Sequence, residues 1–83
     1  MQVSGLVLYL ETDPLASDAA LAVLASEPGL DLGERQGTDR VPAVLEAPSP
    51  ADSKEAVRRL ESLSGIQRIE VAFVALDPSE NER

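Results

Sequence analysis

Apolar and polar positions along the chain follow two different periods, and together these periods predict six elements of secondary structure. An alternation of period two, rich in Val and Leu, predicts strands. Apolar residues three and four positions apart predict helices. The predicted strands span residues 3–10, 30–36, 40–47 and 69–76. The first predicted helix spans about residues 14–26, and the second ends at about residue 63.

A pattern that occurs twice organises these elements. Each copy is a helix-like run that ends at a glycine followed by an aliphatic residue, and the two glycines, Gly29 and Gly65, lie 36 positions apart. An apolar, strand-like run precedes each copy, so the chain has the order β-α-β twice. We therefore expect one α+β domain over residues 1–83, with a polar tail at residues 77–83. The predicted architecture is a ferredoxin-like βαββαβ two-layer sandwich whose antiparallel sheet has the order 4-1-3-2.

Two local features have two possible interpretations each. The second helix has two candidate N-caps, because Asp52 is followed by Glu55 as in a capping box while Ser49 is a competing cap. Pro42 falls within the predicted third strand, which is internal in this sheet, and proline cannot donate a hydrogen bond to a neighbouring strand. Either Pro42 stands at the very start of that strand, or the pairing is interrupted there.

The first strand is apolar on both of its alternating sides, although helices cover only one side of a two-layer fold. The second apolar side indicates a binding surface on the open face of the sheet. Such a face suits an amphipathic segment that carries Arg or Lys, and dimerisation is the alternative. We expect Leu6, Leu8, Leu10, Ala43, Leu45, Ile69, Val71 and Phe73 to face the helices. The predicted peptide-binding residues on the open face are Val7, Tyr9, Val44, Glu46, Glu70, Ala72 and Val74.

Composition excludes several classes of function. A net charge of −8 and only two aromatic residues argue against nucleic-acid binding, which needs a basic face or a stacking platform. The chain has no Cys and no His, which removes the commonest nucleophilic, basic and metal-binding side chains. No phosphate-binding loop or catalytic motif is present either, so we expect neither enzymatic activity, nor a metal, nor a cofactor. No apolar run is long enough to span a membrane and the N-terminus lacks the basic start of a signal peptide, which favours a cytoplasmic protein.

Four short segments, in this order and at this spacing, resemble the NapD-type assembly chaperones of the periplasmic nitrate reductase. They are SGLV at residues 4–7, PGL at 28–30, VLEA at 44–47 and GI at 65–66. The resemblance implies a cytoplasmic ferredoxin-like chaperone without a cofactor of its own. It also implies binding of the twin-arginine signal peptide of the molybdenum-containing catalytic subunit, as a helix on the open sheet face. Export is then held back until the molybdenum cofactor has been inserted.

Two other functions remain as alternatives at this point. One is a small-molecule-binding regulatory module of the ACT kind that acts as a dimer, although such modules usually accompany a second domain for which 83 residues leave no room. The other is an acylphosphatase-like enzyme, which needs a phosphate-binding loop with an Arg and an Asn, and the chain has its one Asn at position 81. For the chaperone we expect a monomer or a weak homodimer.

Overall fold

Six elements form two layers in the computed structural model, which describes residues 1–37 and 39–76. A four-stranded antiparallel sheet makes one layer and two helices make the other. In chain order the elements are β1 (Gln2–Leu10), α1 (Pro14–Ala25), β2 (Leu30–Leu32), β3 (Arg40–Ala47), α2 (Pro50–Glu61) and β4 (Ile66–Leu76).

The strands are arranged in the order β2-β3-β1-β4. This is the predicted order 4-1-3-2 read from the other edge, so the predicted ferredoxin-like fold is confirmed. The long central pairings join β1 to β3 and β1 to β4, whereas β2 pairs only with β3. Alternate residues of β1 and β3 pack against Leu24 of α1 and Leu60 of α2, which lie 0 % and 1 % exposed.

The twofold repeat of the sequence is a repeat of hydrogen bonds in the structure. Each helix begins at an N-cap followed by proline: Asp13 before Pro14 in α1, and Ser49 before Pro50 in α2. The same turn also follows each helix. After α1 the Leu30 amide donates to the Glu27 carbonyl at 3.3 Å, and after α2 the Ile66 amide donates to the Leu63 carbonyl at 3.2 Å. Of the two candidate N-caps of α2, Ser49 is the one that the structure shows. Its Oγ accepts a hydrogen bond from the Asp52 amide at 3.2 Å.

The two glycines of the repeat are required by backbone conformation and by space. Gly29 has φ +80° and Gly65 has φ +95°, in the left-handed region that favours glycine. A Cβ at either position would also collide with a backbone carbonyl oxygen, that of Glu46 or that of Ala16 respectively. The chain thus leaves each helix through a left-handed turn pressed against the rest of the molecule, which explains why the sequence places glycine there.

Pro42 explains the shortness of β2, which ends at Leu32 instead of residue 36 as predicted. The Pro42 carbonyl accepts a 2.7 Å hydrogen bond from the amide of Gly33, so the backbone of Pro42 points towards β2. Because proline has no N–H, it cannot return the second bond of the pair, and the β2–β3 ladder stops. On its other side β3 pairs with β1 without interruption, with Pro42 opposite Val7. Of the two interpretations of Pro42, local interruption is confirmed.

The remaining boundaries either agree with the predicted ones or differ from them by one to three residues. Helix α1 ends at Ala25 and α2 at Glu61, with Ser26 and Ser62 as C-caps. Strand β4 begins at Ile66, three residues earlier than predicted, because Ile66 pairs with Leu10 directly after the glycine turn. The predicted polar tail at residues 77–83 lies outside the described residues.

Candidate functional site

The open face is the side of the sheet opposite the helices, and it consists of four rows of residues that cross the strands. Register places Glu46, Val3 and Ala75 in the first row, at one end of the sheet. The second row holds Asp31, Val44, Gly5 and Phe73, and the third holds Pro42, Val7 and Glu70. The fourth row, at the opposite end, holds Arg40, Tyr9 and Arg68.

An apolar hollow of about 400 Å³ occupies the middle two rows of the open face. Its residues come from all four strands, and Asp31 lies on its rim. Apolar side chains that remain exposed on a small protein commonly mark a binding surface. The residues that line the hollow include Gly5, Val7, Pro42, Val44, Ala72 and Phe73.

The hollow exists because β1 carries a glycine where a side chain is expected. Gly5 lies opposite Phe73 on the open face, and the Phe73 ring occupies the space above it. Phe73 is 54 % exposed, so its ring forms a wall of the hollow without being buried in it. The pairing of a glycine with an aromatic ring thus gives the sheet a concave apolar surface.

A β-bulge in β4 corrects the predicted orientation of two residues. Leu6 pairs with Val71 and Gly5 with Phe73, which leaves Ala72 as an extra residue on β4. The extra residue shifts the alternation by one position. Phe73 was predicted to face the helices, but it lies on the open face.

Val74, predicted on the open face, is displaced to the helix side by the same bulge. It pairs with Ser4, whose hydroxyl lies 3.3 Å from that of Ser53 in α2. Residues opposite each other in an antiparallel pair project to the same side. The predicted orientation of Val74 is therefore wrong, and it lines a groove beside α2 instead.

Tyr9 and Arg68 of the fourth row form a closed polar cluster with Glu70 of the third row. The Tyr9 hydroxyl donates to Glu70 Oε1 at 3.1 Å. Arg68 Nη1 lies 2.8 Å from Glu70 Oε2, and the Arg68 guanidinium lies 4.1 Å from the centroid of the Tyr9 ring. Because Glu70 already has two partners on its own face, its charge is largely compensated within the protein.

Two acidic residues near the other end of the face have no such compensation. Asp31 lies opposite Val44, and Glu46 lies opposite Val3. Both are exposed, and within residues 1–37 and 39–76 no ion pair involves either of them. The open face is therefore apolar in the middle, acidic at one end and occupied by arginines at the other.

The structure brings together on the open face six of the seven predicted site residues, all except Val74. Glu46 and Glu70 do edge this surface, as expected for acidic residues within strands. Sequence reasoning missed Asp31, although its place between the inward-facing Leu30 and Leu32 is a period-two signal. It also missed the contribution of Phe73, for which the sequence offers no signal because a bulge depends on cross-strand pairing.

Other chemistry is not indicated by the part of the chain that the structure describes. No group of three acidic side chains there is placed to hold a metal ion. None of the helices among these residues has the length and apolar character needed to cross a membrane.

Comparison with known proteins identifies the fold. No protein-family model and no curated protein sequence matches the chain. A solved structure does: the solution structure of the E. coli Tat proofreading chaperone protein NapD is similar over 98 % of this chain and 84 % of that one. The TM-score is 0.74 and the sequence identity is 13 %. The two chains therefore share their fold, which is the fold that the sequence resemblance implies.

Proposed function

We propose that this protein is a chaperone that binds the twin-arginine signal peptide of the catalytic subunit of a periplasmic nitrate reductase. In this role it acts in the cytoplasm, without catalysis, and holds back export until the molybdenum cofactor has been inserted. The observation that carries the proposal is the apolar hollow with uncompensated acidic residues beside it. The shared fold with a Tat proofreading chaperone supports the same reading.

The dimensions of the open face suit a short helix. Val3 and Tyr9 mark its two ends along β1, and six steps of about 3.3 Å separate them by about 20 Å. A helix of that length has about 13 residues at 1.5 Å per residue. An apolar helical face laid on the hollow would cover Val7, Val44 and Phe73, which gives the hydrophobic contribution to binding.

The charge of the protein suits the arginines of such a peptide. The chain carries a net charge of −8, which attracts a cationic segment during encounter. Asp31 and Glu46 offer carboxylates next to the hollow, where arginine side chains of a bound helix can reach them. Exposed charges are screened by salt, so peptide affinity should fall as ionic strength rises.

Titration calorimetry with a synthetic twin-arginine leader tests the proposal. Val7→Glu places a charge in the hollow and should lower the affinity at least about tenfold, since the charge loses water on binding. The matched control is Val23→Glu, the same change on the exposed surface of α1, where Val23 is 48 % exposed. The control should leave the affinity within about twofold. Equal affinities for the two variants, or no binding by the unaltered protein, would contradict the proposal.

A regulatory module that acts as a dimer is the second candidate, because the same exposed apolar residues also suit a second copy of the chain. Val44 and Phe73 on the open face are 36 % and 54 % exposed. Light scattering separates the candidates: the chaperone is expected to be a monomer, or a weak dimer that the leader peptide dissociates. A dimer that persists with the peptide present would favour the regulatory module.

A further inference from the structure

We propose that the open face binds its helical segment in one orientation, with the cationic N-terminal end at Asp31 and Glu46. The C-terminal end then lies at Arg40 and Arg68, so that the bound helix runs in the same direction as β1. This inference rests on the proposed function, since it takes a cationic, amphipathic helix as the occupant. It adds which end of the peptide meets which end of the sheet.

The acidic end has two carboxylates at a spacing that suits two cations. Asp31 is paired with Val44, and Glu46 lies two residues beyond Val44 on β3. Diagonal neighbours of this kind lie about 7–8 Å apart. Two neighbouring arginine side chains on one helix can each meet one of these carboxylates. Their charges are available for this because, among the residues that the structure describes, no ion pair holds either one.

The opposite end repels cations. Arg40 and Arg68 lie on either side of Tyr9, about 20 Å along the sheet from Val3. Glu70, the acidic residue of the third row, accepts from both Arg68 and Tyr9. The side chains in the first two rows of the open face therefore carry a charge of about −2, and those in the last two rows carry about +1.

The dipole of the bound helix favours the same orientation. A helix carries partial positive charge at its N-terminus and partial negative charge at its C-terminus. With its N-terminus at Asp31 and Glu46, both its arginines and its dipole meet negative charge. The reversed helix would place its arginines beside Arg40 and Arg68 and its negative end beside two carboxylates. The charges of the open face and the dipole of the helix therefore favour the same orientation.

Paramagnetic broadening of amide signals in NMR spectra tests the orientation directly. The probe is a synthetic twin-arginine leader with a nitroxide label at its N-terminus or at its C-terminus. The N-terminal label should broaden the amides of Asp31 and Glu46 much more strongly than those of Tyr9 and Arg68. The C-terminal label should do the reverse. The opposite pattern, or equal broadening at both ends from each label, would overturn the orientation.

The result of the labelling experiment can be distinguished from the test of the proposed function, because binding itself is measured by calorimetry with the unlabelled peptide. Binding with the wrong or a mixed orientation overturns only this inference. Failure of the peptide to bind overturns the proposed function. A dimer that the peptide cannot dissociate, with the open-face amides already protected from exchange, would show that a second copy occupies the face and would overturn both.

Charge reversal gives a second, independent test. The double variant Asp31→Lys/Glu46→Lys should weaken binding of the leader at least about tenfold, and a leader with both arginines changed to Glu should recover affinity for it. The matched control is Glu55→Lys/Glu61→Lys, the same charge change on exposed positions of α2. If the lysine variant unfolds, Asp31→Asn/Glu46→Gln replaces it, with a loss of at least about threefold expected. Equal losses in the open-face and control variants would overturn the inference.

Discussion

The ring of Phe73 lies against the backbone of Gly5, in the space that a side chain at position 5 would need. The two residues are partners across β1 and β4, on the side of the sheet without helices. The contact depends on the bulge at Ala72, which turns Phe73 to this side. One glycine and one irregularity in pairing thus shape the floor and the wall of the hollow.

Gly5→Ala should separate stability from binding. The new Cβ must displace the Phe73 ring, which is exposed and can turn into solvent. Alanine is also favoured over glycine within a strand by roughly 0.5–1 kcal/mol, so the free energy of unfolding should change by less than about 1 kcal/mol. Leader-peptide affinity should fall at least about fivefold, because the hollow is partly filled and its wall is moved. Urea denaturation and calorimetry measure the two quantities.

The control for Gly5→Ala is a double-mutant cycle with Phe73→Ala. If ring displacement is the mechanism, the substitution at position 5 should have a different effect on stability when the ring is absent. Strict additivity of the two changes would show that Gly5 acts through something other than Phe73. Unchanged peptide affinity in a stable Gly5→Ala protein would remove the hollow from the binding surface.

Gly65→Ala should destabilise the protein more than Gly37→Ala does, although both glycines have positive φ. At Gly65 the new Cβ collides with the Ala16 carbonyl oxygen and crowds Ala20, whereas at Gly37 the nearest atom is 4.0 Å away. Left-handed strain alone costs about 1 kcal/mol or somewhat more, and the added backbone collision should raise the loss at Gly65 above about 2 kcal/mol. Chemical denaturation measures both, and equal losses would contradict the close packing of the turn.

Most of the fold follows from the sequence because its causes are local. The period of the apolar residues distinguishes strands from helices. Proline after a capping residue begins each helix, and a glycine in a left-handed conformation follows three residues after each C-cap. The repetition of these signals 36 positions apart then fixes the order of the elements.

The parts that sequence reasoning missed depend on which strands are neighbours. The bulge at Ala72 is defined only by the register of β4 against β1, so the sides of Phe73 and Val74 could not be read from alternation. The early end of β2 depends on the direction in which the backbone of Pro42 points. The hydrogen bond from Tyr9 to Glu70 depends on the pairing of β1 with β4, which alternation along one strand does not reveal.

Pro42→Val should lengthen the β2–β3 pairing. The new amide points towards Gly33 and can donate to its carbonyl, completing a pair of which one bond, from the Gly33 amide at 2.7 Å, already exists. The added hydrogen bond contributes about 0.5–1.5 kcal/mol, and loss of proline in the unfolded chain offsets roughly 0.4–1 kcal/mol of it, so stability should change little. Hydrogen exchange should show a protected amide at position 42. Exchange there as fast as in an open loop would contradict the explanation of why β2 is short.

Glu46→Gln and Glu70→Gln form a matched pair of variants. They test whether the carboxylate of Glu46 is available to a bound peptide while that of Glu70 is compensated within the protein. Both changes remove one negative charge from an exposed strand position. Glu46→Gln should lower leader-peptide affinity about threefold or more at low salt, and Glu70→Gln should leave it within about twofold, because Glu70 is already bound by Arg68 and Tyr9. At about 0.5 M salt the difference should shrink, since charges a few ångströms apart at the surface are then strongly screened. A larger loss for Glu70→Gln, or a difference that salt does not reduce, would contradict the charge pattern on which the binding proposal rests.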